Sequence, residues 1–214
     1  MDFDAAAATW DDDEQRARRT QAIAAEIRSR LGEHTYRRAL DFGAGTGALS
    51  LLLADRFEEI LLVDRSPGML AAAAGKIAAA GPDVAARLHP LALDLTGSDP
   101  SGSPEPGSVD VVYSSMALHH VADVPALLRA FHGLLAPGGL LLVADLAADH
   151  DGSYHAHDDA FDGHHGFHRH ELDQTLVATG FAPATTTTAY VVRREVDGAE
   201  REYPVFLATA RRVP

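Results

Sequence analysis

Apolar residues recur along this chain at two spacings. Ile23, Ile27 and Leu31 fall at helical intervals behind the acidic run Asp11 to Asp13, whose side chains suit a helix start, and the series stops at Gly32. A first helix is predicted there, behind a mobile lead over residues 1–14. The runs Arg38 to Phe42, Ile60 to Val63, Arg87 to Leu93, Asp110 to Ser114 and Leu140 to Asp145 are instead short and nearly continuously apolar, as buried strands are. Helical stretches separate them: Leu49 to Arg56, Pro67 through the alanines to Gly81, and Pro125 to Leu135, the last closed by Pro137-Gly138-Gly139. Strand and helix alternation of this kind predicts a doubly wound α/β sheet, parallel and covered on both faces. Thr96 to Ser108, rich in Gly, Ser, Pro and Asp, reads as a surface loop within that alternation. Beyond it the pattern changes. Phe167 to Thr179 predicts a last helix ending at Gly180, and Thr185 to Val196 and Tyr203 to Arg211 predict an antiparallel hairpin about Asp197-Gly198.

In such a sheet, binding groups collect at the carboxyl ends of the strands, near the point where strand order reverses. Here those ends read Asp41, Asp64, Asp94, Ser114 and Asp145. Four carboxylates along one edge are hard to explain by packing. The 214 residues suit a single domain spanning 1–214. A net charge of −13 disfavours a nucleic-acid partner. The absence of cysteine excludes disulfides, thiolate catalysis and Cys-zinc sites. No apolar run reaches membrane-spanning length, and the opening Met-Asp-Phe-Asp lacks signal-peptide character, so a cytoplasmic protein is expected.

Between the first strand and the next helix lies Asp41-Phe42-Gly43-Ala44-Gly45-Thr46-Gly47, whose glycines let backbone N–H groups approach a ligand. The stretch also satisfies the G-x-G-x-x-A dinucleotide fingerprint, with Asp64 near the distance of a ribose acid, so an NAD-linked oxidoreductase is one reading. Asp41 argues against it. A carboxylate at the mouth of the turn opposes a pyrophosphate and suits the α-ammonium of an amino acid. With Asp64 accepting ribose hydroxyls and Asp94 an adenine amine, the ligand that fits is adenosine carrying a methionine arm.

Five blocks in order now resemble the class I S-adenosylmethionine-dependent methyltransferases, of the small-molecule type 11/12-like kind. They are Leu40 to Gly47; Val63 to Leu70; Leu93-Asp94-Leu95; Asp110-Val111-Val112 with Ala117 to Val121; and Leu135 to Gly139. The resemblance implies a Rossmann-like seven-stranded sheet of order 3-2-1-4-5-7-6, its last hairpin antiparallel. It also implies S-adenosyl-L-methionine as cofactor, held by Asp41, Gly43, Ala44, Gly45, Gly47, Asp64, Arg65, Asp94 and Ser114, with Met69 or Leu95 against the adenine. Residues 1–32 resemble the lid helix of small-molecule members, which brings in Trp10 and Arg16 as cofactor contacts; the plainer readings are that Trp10 packs and that Arg16, Arg18 and Arg19 lie on a solvated face.

Methyl transfer from a sulfonium needs chiefly a positioned nucleophile, and a base adds to the rate where the acceptor carries a proton. His119, after the fourth strand, is the expected base, with Asp145 on the neighbouring strand fixing its tautomer; some sugar O-methyltransferases resembling this chain use such a pair. The competing reading is that His119 or His120 caps the following helix while Asp145 bonds backbone. Seven histidines, at 150, 155, 157, 164, 165, 168 and 170, crowd the segment 147–170 among Asp149, Asp151, Asp158, Asp159 and Asp162. The resemblance implies that this segment covers the substrate, as it commonly does in the fold. Three readings stand for it: a solvated polar loop; a substrate wall in which His155, His164 and His165 join His120; or a divalent-metal site built from His155, His164 and His165, although the spacing matches no zinc signature. The expected function is methyl transfer to oxygen, sulfur or nitrogen of a small metabolite, by a monomer or homodimer. The alternatives are the NAD-dependent oxidoreductase and a noncatalytic metal- or cofactor-binding regulator on the same fold.

Overall fold

The computed structural model describes residues 2–97, 102–149, 151–156, 158 and 161–213. Its centre is a seven-stranded sheet made of β1 (Tyr36–Phe42), β2 (Phe57–Asp64), β3 (Leu88–Ala92), β4 (Val109–Ser115), β5 (Leu135–Leu146), β6 (Thr185–Val196) and β7 (Ala199–Arg211). The order is β3-β2-β1-β4-β5-β7-β6. β1 to β5 pair in parallel, and β7 returns antiparallel to both β5 and β6. The β6–β7 reversal uses Asp197 and Gly198, both at positive φ, as a tight hairpin turn requires.

Both sheet faces are covered, because successive strand residues point to opposite sides. Ala39 and Leu62 enter one core with Ile23, Ile27 and Leu31 of helix α2 (Glu14–Leu31), Leu53 of α3 (Ala48–Leu53) and Ala73 and Ile77 of α4 (Pro67–Ala79). Leu40 and Val63 enter the other, with Leu127, Leu128 and Phe131 of α6 (Val124–Leu134) and Leu172 and Leu176 of α7 (Arg169–Ala178). Each fully buried side chain of this size contributes roughly 1.5–3 kcal/mol of transfer free energy, so the apolar strands and helix stripes hold the scaffold. Helix starts follow local chemistry. Asp13 caps α2 by accepting from Gln15 and Arg16 N–H, and Ser66 caps α4 by accepting from Met69 N–H with Pro67 behind it.

Two local expectations are corrected and one element is added. The lead is not loose: α1 (Phe3–Ala6) and a 3₁₀ stretch (Ala7–Asp12) fold over the sheet's carboxyl edge, because Asp4 and Asp11 find donors there. A short α5 (Pro82–Ala85) interrupts the passage into β3. β5 begins already at Leu135, so Pro137-Gly138-Gly139 lies within the strand; its register against β4 shifts between Val109 and Val111. The described part of the 96–108 loop carries no helix or strand.

Candidate active site

A cavity of about 1100 Å³ opens over the carboxyl ends of β1, β2 and β4. Its floor is the glycine turn, where Gly43, Gly45 and Gly47 take φ of +67°, +54° and +72°. Gly43 and Ala44 N–H both donate to Val63 O, at 2.9 and 3.1 Å, which folds the turn onto β2. A Cβ on Gly43 would collide with the Ala117 side chain, so glycine is needed for close approach as well as for conformation. Asp64 ties the turn down from the other side: Oδ2 accepts from Gly45 N–H at 2.7 Å and Oδ1 from Ser66 N–H at 2.9 Å.

Asp41 is fully buried at the end of β1 yet lines the cavity. Ser50 Oγ donates to it at 2.7 Å and is itself 2.7 Å from the Tyr113 hydroxyl. Burial pushes its carboxyl up to about 7; the Ser50 hydrogen bond opposes this and the nearby Asp64 charge adds to it. No cation pairs with Asp41 among the described residues. A buried carboxyl at a cavity floor, without a cationic partner, fits the ammonium of an amino acid.

The roof is the N-terminal segment, fastened at two points. Asp4 Oδ1 accepts from Ser66 Oγ and from Gly68 N–H, so a carboxylate joins the Ser66 hydroxyl at the start of α4. Asp11 accepts from Thr46 Oγ1 at 2.9 Å and pairs with Lys76 Nζ at 2.8 Å. Between them the Phe3 ring packs 5.8 Å from Trp10 and edge-on to His120 at 5.3 Å. Arg16 stacks its guanidinium on Trp10, 3.9 Å from the ring centre, donates to Trp10 O and pairs with Asp13 at 3.7 Å.

The histidines form one aromatic cluster beside the cavity. His119 is 3% exposed, and its Nδ1 lies 2.6 Å from Asp145 Oδ1, while Asp145 also accepts from the N–H groups of His119 and Leu146. Burial works against ionisation of Asp145, but His119 and these N–H donors outweigh it and hold the carboxyl below its usual range. The His120 ring lies 4.1 Å from that of His119, tilted by 42°, and His120 lines the cavity. Burial, with His119 beside it, lowers its proton affinity to about 4. His155 lies flat on Phe161, ring centres 3.7 Å apart, and burial and the neighbouring imidazoles take it down to about 3. Its buried Nδ1 has no partner among the described residues.

The expected cofactor residues Asp41, Gly43, Ala44, Gly45, Asp64, Arg65, Met69, Trp10 and Arg16 all line the cavity. Others do not reach it. Gly47 faces Leu62 and Ala73; Ser114 Oγ donates to Phe42 O; Asp94 takes Thr96 N–H at 2.9 Å and pairs with Arg65 at 3.6 Å; and Leu95 stands outside the wall, where Leu93 and Thr96 take its place. The expected base His119 is 3% exposed, and His120, expected on the substrate side, lines the cavity. His164 donates its N–H to His119 O and its ring nitrogen lies 3.0 Å from Val121 O, while His165 packs on Gly152 and His155. His155, His164 and His165 therefore do not converge, and among the described residues no group of three or more His, Asp or Glu side chains is arranged to hold a metal ion. His150, His157 and Asp159 lie outside the described residues.

Sequence reasoning missed Phe3, Asp4, Asp11, Arg19, Lys76, Met116 and Phe161 as cavity residues. Arg19 was legible: it stands three positions after Arg16, on the same helix face. Phe161 carried no such signal.

A model of the family described as "Methyltransferase domain" matches residues 40–141. The trans-aconitate 2-methyltransferase of Deinococcus radiodurans is 30% identical over 212 residues, covering 94% of this chain and 76% of that protein. The malonyl-[acyl-carrier protein] O-methyltransferase of Laribacter hongkongensis is 33% identical over 196 residues, 84% of this chain and 62% of that one. The chain spans only 26%, 62% and 42% of the lengths of three curated relatives it matches, the Laribacter protein being the one at 62%. The structure of Haemonchus contortus phosphoethanolamine N-methyltransferase 2 in complex with S-adenosyl-L-methionine superposes with a TM-score of 0.70 at 18% identity. It covers 89% of this chain and 52% of that one, and shows the shared fold.

Proposed function

This chain belongs to the class I S-adenosylmethionine-dependent methyltransferases, and from that premise we propose that it transfers the methyl group of S-adenosylmethionine to an oxygen, sulfur or nitrogen of a small metabolite. The observation that carries this is Asp41, a buried carboxyl without a cationic partner among the described residues, at the floor of the glycine turn. Asp41 would hold the ammonium, the Gly43 to Gly45 backbone would lie along the amino-acid arm, and Asp64 would accept the ribose hydroxyls with its remaining lone pairs. Met69 would supply an apolar wall to the adenine. The cofactor brings a methyl group on a sulfonium, a leaving group that departs as a neutral thioether.

What remains for the protein is positioning and exclusion of water. The roof clamped by Asp4 and Asp11 serves the second task. His120 is the imidazole that would meet the acceptor. With a proton affinity near 4 it is neutral at pH 7 and orients by hydrogen bonding more than it abstracts a strongly held proton. Asp145 and His119 stand behind it as a charged, hydrogen-bonded support. The entire chain acts as one domain in this reading, with 1–32 as lid and 147–170 as acceptor cover.

The test is transfer of radiolabel from S-adenosylmethionine to a panel of acceptors, with Asp64→Ala as control. Labelled product with the native chain, and at least tenfold weaker cofactor binding by Asp64→Ala, are expected. Binding of the cofactor unaltered by Asp64→Ala would remove the ribose assignment.

A further inference from the structure

Four basic side chains line the cavity: Arg16, Arg19, Arg65 and Lys76. Three are matched by carboxylates. Arg16 lies 3.7 Å from Asp13, Arg65 3.6 Å from Asp94, and Lys76 2.8 Å from Asp11. Arg19 is different: among the described residues its one hydrogen bond is Nη1 to the Tyr154 hydroxyl at 3.3 Å, and no carboxylate is in salt-bridge contact with it, although its charge is felt by Asp13. Among the four basic side chains of the cavity, only this half-buried guanidinium has a neutral phenol in place of a carboxylate contact among the described residues.

Its position is held. Tyr154 is 5% exposed, its N–H donates to Asp149 Oδ2 at 2.7 Å, and the Arg194 guanidinium lies over its ring at 3.9 Å. Arg19 thus projects from the lid helix to the acceptor cover, fixed at one nitrogen, and among the described residues its other N–H donors have no hydrogen-bond partner and can serve a ligand. Most acidic groups of the cavity are otherwise engaged: Asp41 and Asp64 belong to the glycine-turn floor, Asp4 and Asp11 fasten the roof, Asp2 caps α1 through Ala5 N–H and Asp123 caps α6 through Ala126 N–H, while Asp162 also stands on the wall. The volume of about 1100 Å³ exceeds what one small ligand fills, roughly 300–1,000 Å³ including its surroundings.

We propose that the acceptor carries an anionic group, a carboxylate or a phosphate monoester, and that Arg19 binds it. The proposal rests on the methyltransferase reading and narrows it to a substrate class. A planar guanidinium matches either group through paired N–H···O bonds, and partial burial strengthens them relative to a solvated contact.

Titration calorimetry on the full chain saturated with S-adenosylhomocysteine tests this with four probes. Trans-aconitate is the carboxylate arm and O-phosphoethanolamine the phosphate arm; the trimethyl ester of trans-aconitate and ethanolamine are their counterparts without an anionic group. At least one anion should bind about tenfold or more tightly than its counterpart, and the arm that does so distinguishes carboxylate from phosphate. Arg19→Gln should abolish that preference and Arg19→Lys retain part of it, while S-adenosylhomocysteine affinity stays within about twofold in both. The second variant also guards against a folding defect in the first. The proposal is overturned if neither anion is preferred by the native chain, if the preference survives Arg19→Gln, or if either variant loses S-adenosylhomocysteine, which would assign Arg19 to the cofactor. A native chain that fails to bind S-adenosylhomocysteine would defeat the methyltransferase reading instead.

Discussion

Asp41→Asn separates what Asp41 does for the fold from what it does for the ligand. The native carboxyl is pushed from 3.8 to about 7 by burial. A group whose folded value is raised contributes most to stability below the unfolded value and loses that contribution as pH rises through the folded one. Each unit is about 1.4 kcal/mol, so ionising Asp41 in the ligand-free protein costs on the order of 4 kcal/mol at pH 8. Asparagine accepts the same Ser50 hydrogen bond without that cost. The variant should therefore melt higher at pH 8, by up to about 10 °C for a chain of this size, and the gain should shrink towards pH 4. Cofactor affinity should move oppositely. If the ammonium binds the ionised carboxyl, the native Kd for S-adenosylhomocysteine should rise about tenfold per pH unit below 7, while the variant binds more weakly and with a flat profile. Differential scanning fluorimetry and titration calorimetry between pH 5.5 and 8.5 measure both. A native affinity independent of pH, or a variant that melts lower at pH 8, would refute the reasoning.

Three further outcomes are expected. Gly43→Ala places a Cβ against Ala117 and holds a left-handed φ, so Tm should fall by an amount equivalent to about 1–3 kcal/mol and S-adenosylhomocysteine affinity should fall with it; an unchanged Tm would mean that the turn is not packed as described. Asp145→Asn removes a depressed carboxyl whose stabilisation is present above its unfolded value and lost as pH falls through its folded one. The variant should be less stable at pH 7 by about 3–5 kcal/mol, with the deficit narrowing in acid on denaturant unfolding. His120→Phe keeps a ring at the cavity and removes its hydrogen bonds, so acceptor KM should rise while S-adenosylhomocysteine affinity holds; a loss of cofactor affinity would place His120 elsewhere.

The sheet was legible because its strands are apolar in short runs and its turns carry glycine and proline at positions with a mechanical reason. The order of strands entered through the family resemblance, and the observed pairing matches it. The cofactor wall was legible for the same reason: Asp41, Gly43 and Asp64 sit at strand ends, where topology alone directs them into the crevice. What was not legible depends on long-range docking. Nothing in Met-Asp-Phe-Asp announces that Asp4 caps a helix 62 residues away through Ser66, or that Asp11 meets Lys76. The neighbouring pair His119 and His120 illustrates the limit, since one residue's rotation decides which ring is enclosed and which meets the cavity. Gly163 supplies part of the reason: a Cβ there would collide with His119 O, so the covering segment presses onto His119 and leaves His120 to the cavity.

In the proposed reading, the glycine turn with Asp41 and Asp64 seats S-adenosylmethionine. Parallel calorimetric titrations of the full chain with S-adenosylhomocysteine and with NAD at pH 7.5 test it most directly. Saturable binding of S-adenosylhomocysteine at one site per chain, with NAD giving no measurable heat, is the predicted result. Tight binding of NAD together with no binding of S-adenosylhomocysteine would contradict it.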